Sequence, residues 1–226
     1  MTIIAAAIYG QHVALTSDSL TSSGTFKIPR SGPGKTWIAT LSHERGVASG
    51  YHPCQLVIGI AGSIRQYNLV QYGLREMPRF KATHKDPGGY LHHALVPELR
   101  RLMREGGYDE KAVNQQGIEY GPELLIGFPG SAPGLDGLGM IYAIHGDYAV
   151  TEHDDFAAQG SGAPYALAAD FASMGMLARL GVDYDVDARA HAVARIENAA
   201  QGACRIDSGC GGELETITTE PPATER

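Results

Sequence analysis

Thr2 directly follows the initiator methionine, and a second residue this small normally allows that methionine to be removed. Removal leaves a threonine that carries a hydroxyl and a free α-amine, a nucleophile with its own base. An unperturbed α-amine titrates near ~8, so a useful fraction is neutral at neutral pH. Three other patterns fail on their surroundings. Gly34-Lys35-Thr36 has the ending of a phosphate-binding loop, but Pro29 stands where the first glycine belongs and the following residues read as a strand. Gly160-Ser161-Gly162 lacks the spacing of a serine-hydrolase elbow, because Gln159 and Ala163 replace the required glycines. The His92-His93 pair joins no metal-ligating spacing, so the histidines read as solvated or core residues.

The elements that must position Thr2 follow from periodicity. Thr2 to Ile8 and His12 to Leu15 are short apolar runs around Tyr9-Gly10-Gln11, which predicts a hairpin. Thr21 to Gly34, rich in Ser, Gly and Pro, reads as loop. Lys35 to Leu41 and Gln55 to Ala61 are strands, with a polar excursion over Ser42 to Pro53 between them. After Gly62, Ile64, Tyr67, Leu69, Val70 and Leu74 share one helical face. A loop containing Pro78, Pro87, Gly88 and Gly89 leads to a second helix carrying Leu91, Leu95, Leu99, Leu102 and Met103. Strands then return at Glu123 to Phe128 and Met140 to His145, around a loop over Pro129 to Gly139. Phe156 to Gln159 leads into helices at Tyr165 to Leu180 and Ala188 to Ala203, the latter with Ala190, Val193, Ile196 and Ala200 inward. Leu214 to Ile217 is the last strand. Strand runs separated by helix pairs predict an α+β domain over residues 1–218, a four-layer αββα sandwich of two antiparallel sheets flanked by helix pairs. Residues 219–226 read as a disordered polar tail.

Composition narrows the partners. The 226 residues are 43% hydrophobic and 19% charged, which suits a globular chain and excludes wholesale disorder. A net charge of −7 argues against a nucleic-acid partner. No apolar run approaches the length of a membrane helix, and MTIIAAAIYG lacks the basic start of a signal peptide. Three cysteines without a CxxC pair support neither a disulfide framework nor a zinc ribbon, so the expected location is the cytoplasm.

With these elements in place, the chain resembles the proteasome β-subunit and HslV-type family of N-terminal-threonine peptidases, which are N-terminal-nucleophile (Ntn) hydrolases. The opening TIIAAAIYGQHVALTSDS is similar to the family's first hairpin, with Asp18 at its acidic position. Lys35 falls at the catalytic lysine, Gly59 in IGIAGS at the glycine of the oxyanion hole, and Ser161 in QGSGAPYALAA at the serine near the nucleophile. IDSGCGGELETIT is similar to the closing segment and puts Asp207 at the acidic position, while Cys210 stands where a serine is usual.

The resemblance implies that Thr2 attacks a peptide carbonyl, its amine carries the proton, and Lys35, held by Asp18, favours the ionised hydroxyl. It further implies Gly59 N–H at the oxyanion, and Ser161 and Asp207 orienting the amine. No cofactor is required, although a structural cation on backbone carbonyls near Cys204, Asp207 and Cys210 is expected. The implied partners are further copies in a ring, a peptide or unfolded-protein substrate and an ATP-dependent unfoldase. A non-catalytic ring subunit, or an Ntn amidase acting on a small molecule, remains open as an alternative.

Overall fold

Gly10 adopts φ +54°, the left-handed conformation that the two-residue turn between the first two strands requires. That turn pairs Tyr9 with His12 and fixes the register of β1 (Ile4–Tyr9) on β2 (His12–Asp18), with Ile4 opposite Ser17. The computed structural model describes residues 2–23, 26–29, 34–44, 53–74, 76–108, 121–181 and 188–219. Its further strands are β3 (Leu20–Ser23), β4 (Phe26–Pro29), β5 (Thr36–Leu41), β6 (Cys54–Ala61), β7 (Glu123–Phe128), β8 (Met140–Ile144), β9 (Val150–His153), β10 (Phe156–Gln159) and β11 (Leu214–Thr218). The helices are α1 (Ile64–Gly73), α2 (Pro87–Tyr90), α3 (Val96–Glu105), α4 (Ala163–Leu180) and α5 (Ala188–Ile206). A π-helical turn, Leu91–Leu95, joins α2 to α3.

Two antiparallel sheets, β10-β1-β2-β11 and β5-β6-β7-β8-β9, face one another. Ile4, Ala6, Val13 and Leu15 of the first pack between the sheets against Val57, Leu125, Ile141 and Ala143 of the second. The other face of β1 and β2 carries Ala5, Ala7 and Ala14, which lie under Ala192 and Ile196 of α5. Burial on both faces explains why β1 shows no polar alternation. On the far side of the second sheet, Leu56, Ile58, Leu124 and Ile126 meet Tyr67 and Val70 of α1 and Leu99 and Met103 of α3. The layers are therefore helix, sheet, sheet, helix: the αββα architecture expected from the element order.

Several local expectations give way. The Thr21 to Gly34 stretch contains most of an antiparallel pair, β3 with β4, in which Thr21 pairs with Ile28. Pro87-Gly88-Gly89 opens a helix instead of a loop: Asp86 caps it by accepting Gly89 N–H at 2.7 Å, with Pro87 in the first turn, where its missing donor costs nothing. Ile64 is exposed although it lies on the expected apolar face, and α5 turns Ala192, Ala199 and Ala203 inward while Ala190 is exposed. The polar strand β9 carries too little hydrophobic signal to be expected at all. Among the described residues, no helix is long and apolar enough to cross a membrane. Residues 220–226 of the expected tail lie outside the described residues.

Candidate active site

The hairpin register explains the spacing of Thr2 and Asp18. One step beyond the Ile4–Ser17 pair, Asp18 lies opposite Ile3, and its N–H donates to Ile3 O at 3.2 Å. The Asp18 side chain turns back on the same strand end, where Oδ1 accepts Ile3 N–H at 3.0 Å. Its other oxygen accepts Gly211 N–H at 3.0 Å, from the turn that leads into β11. Asp18 is fully buried, so these amide donors replace the water it has lost.

Lys35 reaches the same carboxylate from the opposite sheet. Its carbonyl accepts Ile60 N–H at 3.0 Å, which anchors it at the start of β5. Its ammonium crosses the gap to Asp18 Oδ1 at 2.7 Å and Leu20 O at 2.6 Å. Burial lowers the Lys35 pKa from the ordinary value of 10.5, against the opposing pull of Asp18. An ammonium fixed in this way cannot serve a phosphate loop, and the strand that follows it confirms that Gly34-Lys35-Thr36 is not one.

A second chain of polar groups reaches Thr2 from the other side. Thr2 N–H donates to Ser161 Oγ at 3.3 Å, and Ser161 Oγ donates to Asp207 Oδ2 at 2.7 Å. The Gly160-Ser161-Gly162 turn is pinned by Gly162 N–H on Thr2 O at 3.3 Å and by Gly160 N–H on Glu123 Oε2 at 3.1 Å. Gly160, at φ +92°, packs so closely that a side chain would collide with the Thr2 carbonyl. Hydrogen bonds from Ser161, Gly209 N–H and Cys210 hold the Asp207 carboxyl below its ordinary pKa. Cys210 donates its Sγ–H to Asp207 Oδ2 at 3.3 Å. Burial and that hydrogen bond push its thiol up to about 12, which makes it a weak nucleophile and an inert spacer.

Five of the six residues singled out in the sequence therefore meet around the chain start: Thr2, Asp18, Lys35, Ser161 and Asp207. Gly59 does not join them. It sits in mid-strand opposite Thr36 and Leu125. Because Ile60 N–H points to β5, Gly59 N–H points the other way, into the ladder with β7. A Cβ there would lie 2.6 Å from Ile4 Cγ2, so this glycine serves close sheet packing. Gly59→Ala is accordingly expected to cost about 1–3 kcal/mol by overpacking, measurable by denaturant unfolding.

A second glycine, Gly62, follows β6 directly at φ +146°. Its neighbour Ala61 approaches Gly160, and Ser63 N–H is occupied by Gln66 Oε1 at 2.9 Å in a capping box. The signal for it was present as a glycine directly before Ser63-x-x-Gln66, the mark of a strand giving way to a helix. Glu123, which clamps the Gly160 turn to β7, carried no signal of its own. Among the described residues no group of three or more potential metal ligands forms.

Neither the family models nor the curated proteins contain a match to this chain. Solved structures do match. BPH of Thiobacillus denitrificans superposes with a TM-score of 0.64 at 18% identity, covering 96% of both chains. HslV of Trypanosoma brucei gives 0.52 at 19% identity, covering 96% of this chain and 98% of that one. Anbu of Pseudomonas aeruginosa, solved as a helical assembly, gives 0.59 at 14% identity, over 96% of this chain and 80% of that one. Across nearly its whole length, then, the chain shares the fold of these solved proteasome-like structures.

Proposed function

We propose that this chain is a proteasome-like threonine peptidase subunit, with Thr2 as nucleophile once Met1 is removed. The observation that carries the reading is the convergence of two separate polar chains on two successive residues at the chain start: Ser161–Asp207 on Thr2 N, and Asp18–Lys35 on the adjoining Ile3 amide. In this reading the Thr2 hydroxyl adds to a peptide carbonyl and its proton passes to the α-amine. Collapse of the tetrahedral intermediate returns that proton to the leaving amine, and water then releases the acyl group. Lys35 stabilises the alkoxide with a cation that Asp18 holds in place. Gly62 replaces Gly59 as the donor to the oxyanion, since Gly62 lies at the end of the ladder and Gly59 lies within it.

Nucleophile, base and donors are all supplied by this chain, so the reaction needs no cofactor. The structural cation near Cys204, Asp207 and Cys210 stays a secondary part of the proposal. Self-association is the expected setting, in keeping with the helical assembly solved for Anbu. A ring or helix would sequester the site from folded proteins, with an unfoldase feeding it unfolded chains.

The test is the intact mass of the purified protein before and after epoxomicin, which BPH of Thiobacillus denitrificans binds in its solved complex. The expected result is a mass lacking one methionine, a covalent increment of one inhibitor, and hydrolysis of short fluorogenic peptides. A retained methionine with no increment and no hydrolysis would favour the non-catalytic subunit, and turnover of small amides alone would favour the amidase. The pH profile gives an independent check. Asp207 lies two hydrogen bonds from the amine, and its negative charge favours the ammonium form. Asp207→Asn is therefore expected to move the rising limb of kcat/KM to lower pH.

A further inference from the structure

A second cluster of chemistry lies outside the Thr2 site, on the helical layer over β5–β9. A cavity of about 570 Å³ is lined by Arg79, Lys81, Thr83, His84 and His93. Four of those five side chains are cationic or can become so.

The cavity is built on unusual backbone. Ala82–His84 forms one 3₁₀ turn, and Lys85 then takes φ +65° and ψ −52° while Asp86 N–H closes on His84 O at 2.8 Å. That is the positive-φ form of a γ-turn, which is rare and strained for a residue with a side chain. On the facing side, His93 sits in the π-helical turn Leu91–Leu95, a distortion that recurs at functional positions. Between them His84 is buried, with its ring edge-on to Phe80 at 5.3 Å and to Tyr90 at 5.7 Å. Its Nδ1 accepts Lys81 N–H at 3.0 Å, so the neutral ring carries its proton on Nε2 and offers a donor.

The charges complete the picture. Burial, His93 and Lys81 all hold the His84 pKa down, and Glu44 alone opposes them. Glu44 is also the carboxylate nearest Lys81, at 3.4 Å, with both side chains about half exposed. A fixed donor among three further basic side chains, with one displaceable carboxylate, suits a dianion with several acceptor oxygens. The volume exceeds what the anion alone would fill.

We propose that this cavity is a phosphate-binding site, for inorganic phosphate or the phosphomonoester of a small organic molecule, separate from the Thr2 cluster and independent of its chemistry. Phosphate oxygens accept from the His84 imidazole, the Lys81 ammonium and the Arg79 guanidinium, while Glu44 gives up Lys81 to the ligand.

The experiment titrates the full-length protein with inorganic phosphate, phenyl phosphate and benzoate at constant pH and ionic strength. It follows the His84 and His93 imidazole signals by NMR and the heat of binding by calorimetry. Saturable shifts of both histidines with phosphate or phenyl phosphate, and not with benzoate, are expected. Lys81→Ala and Arg79→Ala, both at exposed positions, should each weaken binding by about five-fold, and Glu44→Gln should tighten it by about two-fold. Tighter binding of phenyl phosphate than of phosphate identifies a phosphomonoester as the ligand, and equal binding identifies the free ion. Benzoate binding as well as phosphate, or no saturation at all, overturns the proposal. So does a shift that Lys81→Ala and Arg79→Ala leave unchanged, since that result means an adventitious ion only.

Discussion

A Thr2→Ala variant is expected to lose peptide hydrolysis by a factor of about 10³ or more while keeping its fold. The substitution removes the hydroxyl that would attack the carbonyl. It leaves the backbone groups that lock the chain start in place: Thr2 N on Ser161, and Thr2 O under Gly162 N–H. Thr2→Ser restores a hydroxyl on the same backbone and should recover part of the rate. Fluorogenic-peptide assays on the three proteins, with circular dichroism as the control for folding, decide the matter. Unchanged hydrolysis in Thr2→Ala would remove this residue from the mechanism and with it the peptidase reading.

Asp18→Ala is expected to cost about 3–5 kcal/mol of stability, the usual result of stripping one partner from a buried ion pair. The loss is more than the pair. Lys35, with its side chain 7% exposed, keeps a charge without its counter-ion, and the Ile3 and Gly211 amides lose their acceptor. Asp18→Asn keeps an acceptor oxygen and should fall between wild type and alanine.

Proton linkage gives this prediction a signature. In Asp18→Ala the folded-state pKa of Lys35 drops below its already lowered position, while the unfolded value stays near 10.5. The unfolded chain then binds more protons throughout that window, so stability rises with pH across it. The penalty is complete at pH values below the folded pKa and fades as pH approaches 10.5. Denaturant unfolding at several pH values measures it, and a pH-independent deficit would mean that Lys35 is not the source.

These expectations rest on parts of the structure that were unequally legible in the sequence. The β1–β2 hairpin was readable because Gly10 interrupts two apolar runs, whereas Asp18 was singled out by the family resemblance and its place beside Ile3 came from the strand pairing. The helix pairs were readable because Leu91, Leu95, Leu99 and Met103 repeat at helical spacing, and all are buried. The β3–β4 pair was not, because its Ser- and Pro-containing residues have the composition of a loop and only backbone pairing distinguishes them. Nor was the helical start at Pro87: two consecutive glycines suggest a turn, but Gly89 approaches the His84 carbonyl too closely for any side chain. Within the candidate site, the residue types and their order were legible from the family resemblance. Gly59 and Gly62 could not be told apart by type, because the distinction is one of hydrogen-bond direction at a strand end. Glu123 was invisible because it meets Gly160 only across the gap between the two sheets.

The Asp18 carboxylate has a consequence for the order of events as the chain is made. It joins Ile3 and Lys35, both nearby in sequence, to Gly211 at the far end of the chain, and the Ser161–Asp207 arm is likewise distant in sequence from Thr2. Contacts of such wide separation form late, after loop-closure entropy has been overcome. A nascent chain on the ribosome therefore carries Thr2 without the Ser161–Asp207 arm, and Asp18 without its Gly211 donor, until residue 211 has emerged. Under the proposed function, the Ser161–Asp207 part of the Thr2 environment is then completed only when the whole fold is in place.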